Sequence, residues 1–305
     1  MPLLVISHPD CAGHDPVPGH PERPARLEAA LGAFDRLDGV ESIEARPVTR
    51  EQLARVHGPA YLDQLEGLRQ SGAVIPLDPD TYLGPGSLRA AELAAGATCM
   101  AAEAAVGHPE TRAFAIVRPP GHHAESARAM GFCIYNSIAV AAAHALTLAG
   151  IERVAICDFD VHHGNGTEEI FAGHRQVAYA SSHQSPLYPG TGDPTTSLAD
   201  NIFNVQLPPG SGGEAFRRPW EDDLLPKLEA FGPDLVLVSA GFDGHWSDPL
   251  AGLELSEADF HWIGKHLAGL ADRHASGRLA ATLEGGYNLT ALADSVLAFS
   301  EGIAG

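Results

Sequence analysis

The chain has 305 residues, of which 45% are hydrophobic and 19% charged, the balance of a soluble globular protein long enough for one large α/β unit. Its net charge is -20, and the positive charge sits almost wholly on arginine, since Lys227 and Lys265 are the only lysines. Such an excess repels phosphate and argues against a nucleic-acid backbone as a direct partner, while it suits a cationic or peptidic substrate and also serves solubility.

The start carries a short apolar run at 3–6 but neither the basic segment nor the long apolar core of a signal peptide. No uncharged stretch has the length and hydrophobicity of a membrane span. Cys11, Cys99, Cys133 and Cys157 are scattered and form no Cys-x-x-Cys pair. A disulfide framework is therefore not expected, and a reducing cytoplasm is the expected compartment.

Apolar runs recur at 3–6, 114–117, 154–157, 177–180, 203–207, 235–238 and 279–283. Several are apolar at nearly every position, as strands covered on both faces are. Between them, Ala- and Leu-rich segments predict helices over 87–106, 137–149, 213–231, 256–275 and 289–299. Ser256 with Asp259 is placed to cap a helix start, Gly150 to end a helix, and Pro219 to start or kink one. The alternation predicts an α/β fold with a mostly parallel sheet and helices on both sides, read as a single domain over 1–305. In such sheets ligands bind beyond the carboxyl ends of the strands. The polar segments 118–125, 158–166, 181–192, 239–249 and 284–288 all follow strands and can converge on one rim.

The densest chemistry lies in Asp158-Phe159-Asp160-Val161-His162-His163-Gly164. Asp160 and His162 are two apart, so an extended backbone points both to one side. A carboxylate and an imidazole suit zinc, and a catalytic site needs a third ligand with a position left open. Asp243, in Ser239-Ala240-Gly241-Phe242-Asp243, is the best candidate, although an aspartate after a strand also serves as a cap. One imidazole and two carboxylates suit ferrous iron equally. His8, Cys11 and His14 admit a second metal or a substrate-rim loop, but their spacing is irregular and no fourth ligand is evident.

His122 and His123 follow Pro119-Pro120-Gly121. Adjacent histidines point in different directions, so different partners and different pKa values are expected, as in a proton-transfer pair. Tyr287, after Gly285-Gly286, either packs on a turn or swings a phenol over a cleft to donate to a carbonyl oxygen.

At this point the residues resemble the histone deacetylase superfamily, which includes acetylpolyamine amidohydrolases. The similarity rests on His20-Pro21-Glu22-Arg23-Pro24, 118–123, Gly131-Phe132-Cys133, 158–166, Tyr188-Pro189-Gly190-Thr191-Gly192, 239–243 and 283–288, in the family's order. It implies an arginase-like, three-layer α/β/α fold. It implies that Asp160, His162 and Asp243 hold zinc, or ferrous iron. His123 would take a proton from water and hand it to the leaving amine, with His122 as electrostatic partner and Asp158 against it. Tyr287 would polarise the amide carbonyl. Gly131, Phe132 and Tyr188 would wall the tunnel for an acyl-lysine stem, with Asp80 at its rim and Arg23 near the acetate exit path. A structural potassium ion would lie at Asp158, Asp160, His162, Ser181 and Ser182.

Two positions refine this expectation. Asn165 stands where class I members carry aspartate, so His123 should be less basic. Together with 283–287 and Asp248-Pro249-Leu250, Asn165 resembles the class II branch and its bacterial relatives. Leu250 replaces an acidic gatekeeper of polyamine-selective relatives, which favours acyl-lysine or another apolar-stemmed amide; the expected partner is an acyl-lysine peptide or protein, or a small N-acyl amine. The expected function is metal-dependent amide hydrolysis, without a nucleic acid or a membrane as partner; the oligomeric state is open. The rivals are acetylpolyamine hydrolysis and a non-catalytic acyl-lysine binding protein.

Overall fold

The computed structural model describes residues 1–196 and 199–305. The chain begins with β1 (Leu3–Ser7), α1 (Ala25–Gly32), β2 (Val40–Glu44), α2 (Arg50–Leu53) and α3 (Pro59–Leu68). A small hairpin of β3 (Ile75–Pro76) and β4 (Tyr82–Leu83) precedes α4 (Ser87–Gly107), β5 (Arg112–Ala115), α5 (Ser137–Ala145) and β6 (Val154–Asp158). Then come α6 (Asn165–Phe171), β7 (Val177–Gln184), β8 (Ile202–Leu207), α7 (Gly213–Pro219) and α8 (Leu225–Phe231). The last part holds β9 (Leu235–Ala240), α9 (Glu257–His274), β10 (Leu279–Leu283) and α10 (Leu289–Ala304).

Eight strands form one sheet in the order β2-β1-β5-β10-β9-β6-β7-β8, and every pairing in it is parallel. Helices α4, α5 and α6 cover one face, whereas α9 and α10, with α7 and α8 toward β7 and β8, cover the other. This is the three-layer α/β/α arrangement that the sequence implies. Strands β5, β6, β7, β9 and β10 are buried at every position, which is why apolar runs mark them, although β5 opens on Arg112 and β7 ends in Ser181-Ser182-His183-Gln184.

Where the structure departs from the sequence reading, local chemistry explains it. Strand β2 has no apolar run because it is an edge strand, exposed from Glu41 to Glu44. Strand β5 starts two residues early, at Arg112, whose buried guanidinium donates to Ile303 O at 3.1 Å and to Asp272 Oδ1 at 2.6 Å. Helix α5 stops at Ala145, short of 149, and Gly150 (φ 84°) turns the chain afterward. The expected helix over 213–231 is three pieces: α7 ends at Pro219, a π-helical turn spans Trp220–Leu224, and α8 follows. Proline has no N–H to give the preceding turn, so the ladder re-registers there. At the start of α9, Asp259 Oδ2 accepts from Ser256 N and Oγ, both at 2.9 Å, as the cap signal implies.

Strands β5, β10, β9 and β6 are neighbours at the centre of the sheet. The polar segments that leave their carboxyl ends therefore meet.

Candidate metal and proton-transfer site

The segment after β6 alternates. Phe159, between the two aspartates, packs edge-on against Phe242 at 5.8 Å and lies 5.3 Å from Phe299. Each such aromatic pair is worth about 0.5–1.5 kcal/mol beyond its buried area, so the loop is anchored from behind. Asp158, Asp160 and His162 are left to the polar side. Asp160 Oδ1 lies 3.1 Å from His162 Nδ1, and Asp243 Oδ2 lies 3.2 Å from the same nitrogen. Candidate ligand atoms of all three residues fall within 4.8 Å of one another. No other group of three metal-type side chains is this close among the described residues.

The carboxylates are oriented by backbone donors. Asp160 Oδ2 accepts from Gly285 N at 2.8 Å, and Asp243 Oδ1 accepts from Val161 N at 3.0 Å. Gly285 packs so closely on both carboxylates that a Cβ there would collide with them. Asp243 Oδ2 is buried without a hydrogen-bond partner, despite its approach to His162. An orphaned carboxylate oxygen beside a second carboxylate and an imidazole fits a divalent cation. The electrostatics agree. Burial, and then Asp160, push Asp243 up. Burial opposes the charging of His162, but Asp160 and Asp243 outweigh it and push it up to about 10. The two carboxylates thus draw positive charge to this point, which a divalent ion satisfies while the imidazole ligates as the neutral form.

The adjacent histidines are set in opposite states. His122 Nδ1 meets Asp158 Oδ2 at 3.0 Å. Burial works against charge there, but Asp158 and Asp160 prevail and raise His122 to about 10. His123 Nδ1 meets Asn165 Oδ1 at 2.8 Å. Burial, then the charges of His122 and His162, hold His123 well below the usual imidazole range. Since the amide oxygen can only accept, Nδ1 of His123 carries the hydrogen and Nε2 keeps its lone pair. Burial keeps the Tyr287 phenol protonated, well above its ordinary value, although the Arg26 guanidinium 4.8 Å from its ring favours ionisation.

A cavity of about 200 Å³ reaches these groups, with His123, His162 and Tyr287 among its lining. Asp80, Gly131, Phe132, Tyr188 and Leu250 also line it, as does Leu187, which sequence reasoning missed. Phe132 has φ 68°, a left-handed backbone that costs a bulky residue about 1–3 kcal/mol. Its N–H donates to Thr81 Oγ1 at 2.9 Å and its ring meets His20 edge-on at 4.6 Å, which fixes this wall.

Other expected residues fall elsewhere. Arg23 is exposed, so it does not reach a buried exit path; it precedes α1 and faces solvent. The buried arginine at the inner end is Arg26, one turn into the same stretch, donating to Gly286 O and Glu284 O, each at 2.6 Å. Glu22 accepts from Arg118 Nε at 2.7 Å and Nη2 at 2.6 Å, and from Arg26 at 3.2 Å. The four-residue spacing of Glu22 and Arg26 was the available signal. His8, Cys11 and His14 form no cluster: His8 Nδ1 accepts from Asp10 N at 3.0 Å, while His14 is buried between Ser87 and Glu22. His163 turns away from the triad to Thr191 and Glu168. Below the triad, Ser181 pairs in register with Asp158, and Ser182 Oγ accepts from Trp220 Nε1 at 2.9 Å.

Known proteins are similar to this chain over most of its length. It is 40% identical over 302 residues to an uncharacterized protein of Synechocystis, covering 97% of each chain. It is 40% identical over 313 residues to a probable deacetylase of Methanothermobacter thermautotrophicus, covering 99% of this chain and 91% of that one. A histone deacetylase-like amidohydrolase of Pseudomonas aeruginosa is 37% identical over 292 residues, or 93% of this chain and 75% of that protein. The crystal structure of the HDA15 HD domain superposes with a TM-score of 0.92 at 34% identity, over 99% of this chain and 88% of that one. The histone deacetylase domain matches residues 20–303, so the chain belongs to the histone deacetylase family and is a hydrolase of the deacetylase kind.

Proposed function

We propose that the protein is a metal-dependent amidohydrolase that removes acetyl or related acyl groups from N-acyl amines, foremost Nε-acyl-lysine. The observation that carries this reading is the pair of adjacent imidazoles, one held by the Asp158 carboxylate and the other by the Asn165 amide, beside Asp160, His162 and Asp243. Those three residues would hold the ion. Bound there, zinc or ferrous iron supplies Lewis acidity that lowers the pKa of a water to about 7 and polarises a carbonyl.

His123 Nε2 accepts a proton from the attacking water and later returns it to the departing nitrogen. His122, kept positive by Asp158, favours the negative charge that develops on the substrate oxygens. Tyr287 donates its phenol hydrogen to the carbonyl oxygen. Water and amide give acetate and amine, with no bond to the enzyme. Phe132 and Tyr188 hold the methylene stem and exclude water. Leu250 offers no charge to a distant ammonium, which favours acyl-lysine over acetylpolyamine. Asp80 would receive the peptide N–H groups at the rim. The stretch through Asp158, Asp160, His162, Ser181 and Ser182 would bind potassium. All four cysteines are buried and unpaired, in keeping with a reducing cytoplasm.

The test is acetate release from an acetyl-lysine peptide and from acetylspermidine, with chelator-stripped protein and with added zinc or ferrous iron. Metal-dependent release that prefers the peptide is expected. A preference for acetylspermidine would make the chain a polyamine enzyme. Binding without release under every metal would leave an acyl-lysine binding protein instead.

A further inference from the structure

We infer that Glu284 is a positioning residue for the reaction: its buried carboxylate clamps the backbone at the start of the His122-His123 segment to the strand end that carries Tyr287. This role rests on the deacetylase reading and falls to a residue outside the metal, proton-transfer and cavity-lining groups.

Glu284 is the first residue past β10 and is fully buried. Strand β10 lies between β5 and β9, so a side chain leaving its end can reach the extensions of both neighbours. Glu284 does so. Its Oε2 accepts from Gly121 N at 2.6 Å and from His122 N at 3.1 Å, on the segment beyond β5. Its Oε1 accepts from Ser239 Oγ, on β9, at 3.2 Å. Its own backbone N–H donates to Ala240 O at 2.9 Å, and its carbonyl accepts from Arg26. One side chain thus satisfies three buried donors that no other group among the described residues satisfies, and it joins the strand end of Asp243 to that of the histidines. Tyr287 follows three residues later on the same segment, so Glu284 is a short link between the proton-transfer pair and the carbonyl donor. Burial raises its pKa to about 7, against the His122 charge and the Gly121 N–H, which favour the ionised form. The geometry also makes Glu284 replaceable by its amide: a glutamine oxygen can accept both N–H groups while its NH₂ donates to Ser239 Oγ.

The experiment compares Glu284→Gln, Glu284→Asp and Glu284→Met in the metal-loaded full chain. It reads kcat and KM for an acetyl-lysine peptide, bound metal, and hydrogen exchange at the Gly121 and His122 amides. Glutamine is expected to keep kcat within about threefold and to keep both amides protected. Aspartate, which holds the charge but withdraws the acceptor by one methylene, and methionine should lower kcat by about 10- to 100-fold, the range a small misplacement produces. In both, KM should stay within about threefold, the metal should stay bound, and the two amides should exchange faster. If the methionine variant does not fold, the aspartate variant carries the same comparison. A glutamine variant as impaired as aspartate would assign the effect to charge and overturn the inference, as would wild-type kcat in the aspartate variant. Absence of acetate release from wild-type protein removes the deacetylase reading instead, and it is told apart by being present before any substitution.

Discussion

Asp248 holds Tyr287 by its backbone: Asp248 Oδ2 accepts the Tyr287 N–H at 2.7 Å and that of Asn288 at 3.3 Å. The other oxygen, Oδ1, accepts from Leu250 N at 3.0 Å. A single carboxylate therefore ties the phenol over the site to the side chain at the mouth of the cavity. Burial and the charge of Asp243 raise Asp248 to about 6, against three backbone donors that favour its ionised form.

This relationship orders two substitutions. Tyr287→Phe removes the donor and should lower kcat by about 10²- to 10³-fold, the usual cost of losing an oxyanion donor. Asp248→Ala leaves the phenol but frees its backbone, so a smaller loss of about 10- to 100-fold is expected. Both variants should still bind metal. Equal rates for Asp248→Ala and wild type, measured at saturating acetyl-lysine peptide, would mean that the turn holds Tyr287 without help.

The metal assignment makes a prediction that does not depend on turnover. Asp160 and Asp243 repel each other in the metal-free protein, and Asp243→Asn relieves that while keeping the oxygen that accepts from Val161 N. Without metal the variant should melt at or above the wild-type temperature. With zinc at about 1,000 times its dissociation constant, wild type should gain about 4 kcal/mol, and the variant far less. The stability order of the two proteins thus inverts on adding metal. Calorimetry with and without chelator measures it, and an equal gain in both proteins would exclude Asp243 as a ligand.

Much of this arrangement is legible in the sequence because burial leaves a plain signature. Central strands covered on both faces are mostly apolar, and ionisable residues gathered at their carboxyl ends have few structural reasons to be there. The Asp-x-Asp-x-His alternation then gives the sidedness of the loop. Other features lack such a signal. Edge strand β2 is polar because one side meets solvent. Helix α6 is short and is partly made of the motif itself. Arg23 and Arg26 sit three apart, and only the phase of α1 tells which of them turns inward. Glu22, Asp248 and Glu284 act through backbone groups or other charges far along the chain, and these partnerships exist only once the sheet order is known.

The Asn165 contact sets a pH limit. His123 must be neutral to accept a proton, and His122, His162 and burial all favour its neutral form, while Asp160 and the Asn165 hydrogen bond favour the charged one. Asn165→Asp replaces a dipole with a full negative charge 2.8 Å from His123 Nδ1. The imidazolium is stabilised, the pKa of His123 rises, and the acid limb of kcat/KM moves to higher pH by about 1–3 units. Glu125, which accepts from Asn165 Nδ2 at 2.9 Å, would repel the new carboxylate and keep the shift toward the low end. A pH profile of kcat/KM on one acetyl-lysine peptide decides it. A limb that stays in place or moves to lower pH would show that His123 is not the base.

On the proposed reading, Leu250 governs the choice of amine. It lines the cavity together with Asp80 and is held by the Asp248 carboxylate, so its side chain has a defined place at the mouth. Leu250→Glu puts a carboxylate where the distal ammonium of an acetylated polyamine would pass. At about 4 Å in a water-like medium such a pair gains about 1 kcal/mol, or roughly fivefold in affinity, and more where the walls exclude water. The ratio of kcat/KM for acetylspermidine over acetyl-lysine peptide should therefore rise about fivefold or more at low salt. It should fall back toward the wild-type ratio as ionic strength approaches about 1 M, where charges are screened within about 3 Å. A neutral Leu250→Gln variant separates charge from shape. If glutamine raises the ratio as much as glutamate does, selectivity follows the width of the mouth and not its charge.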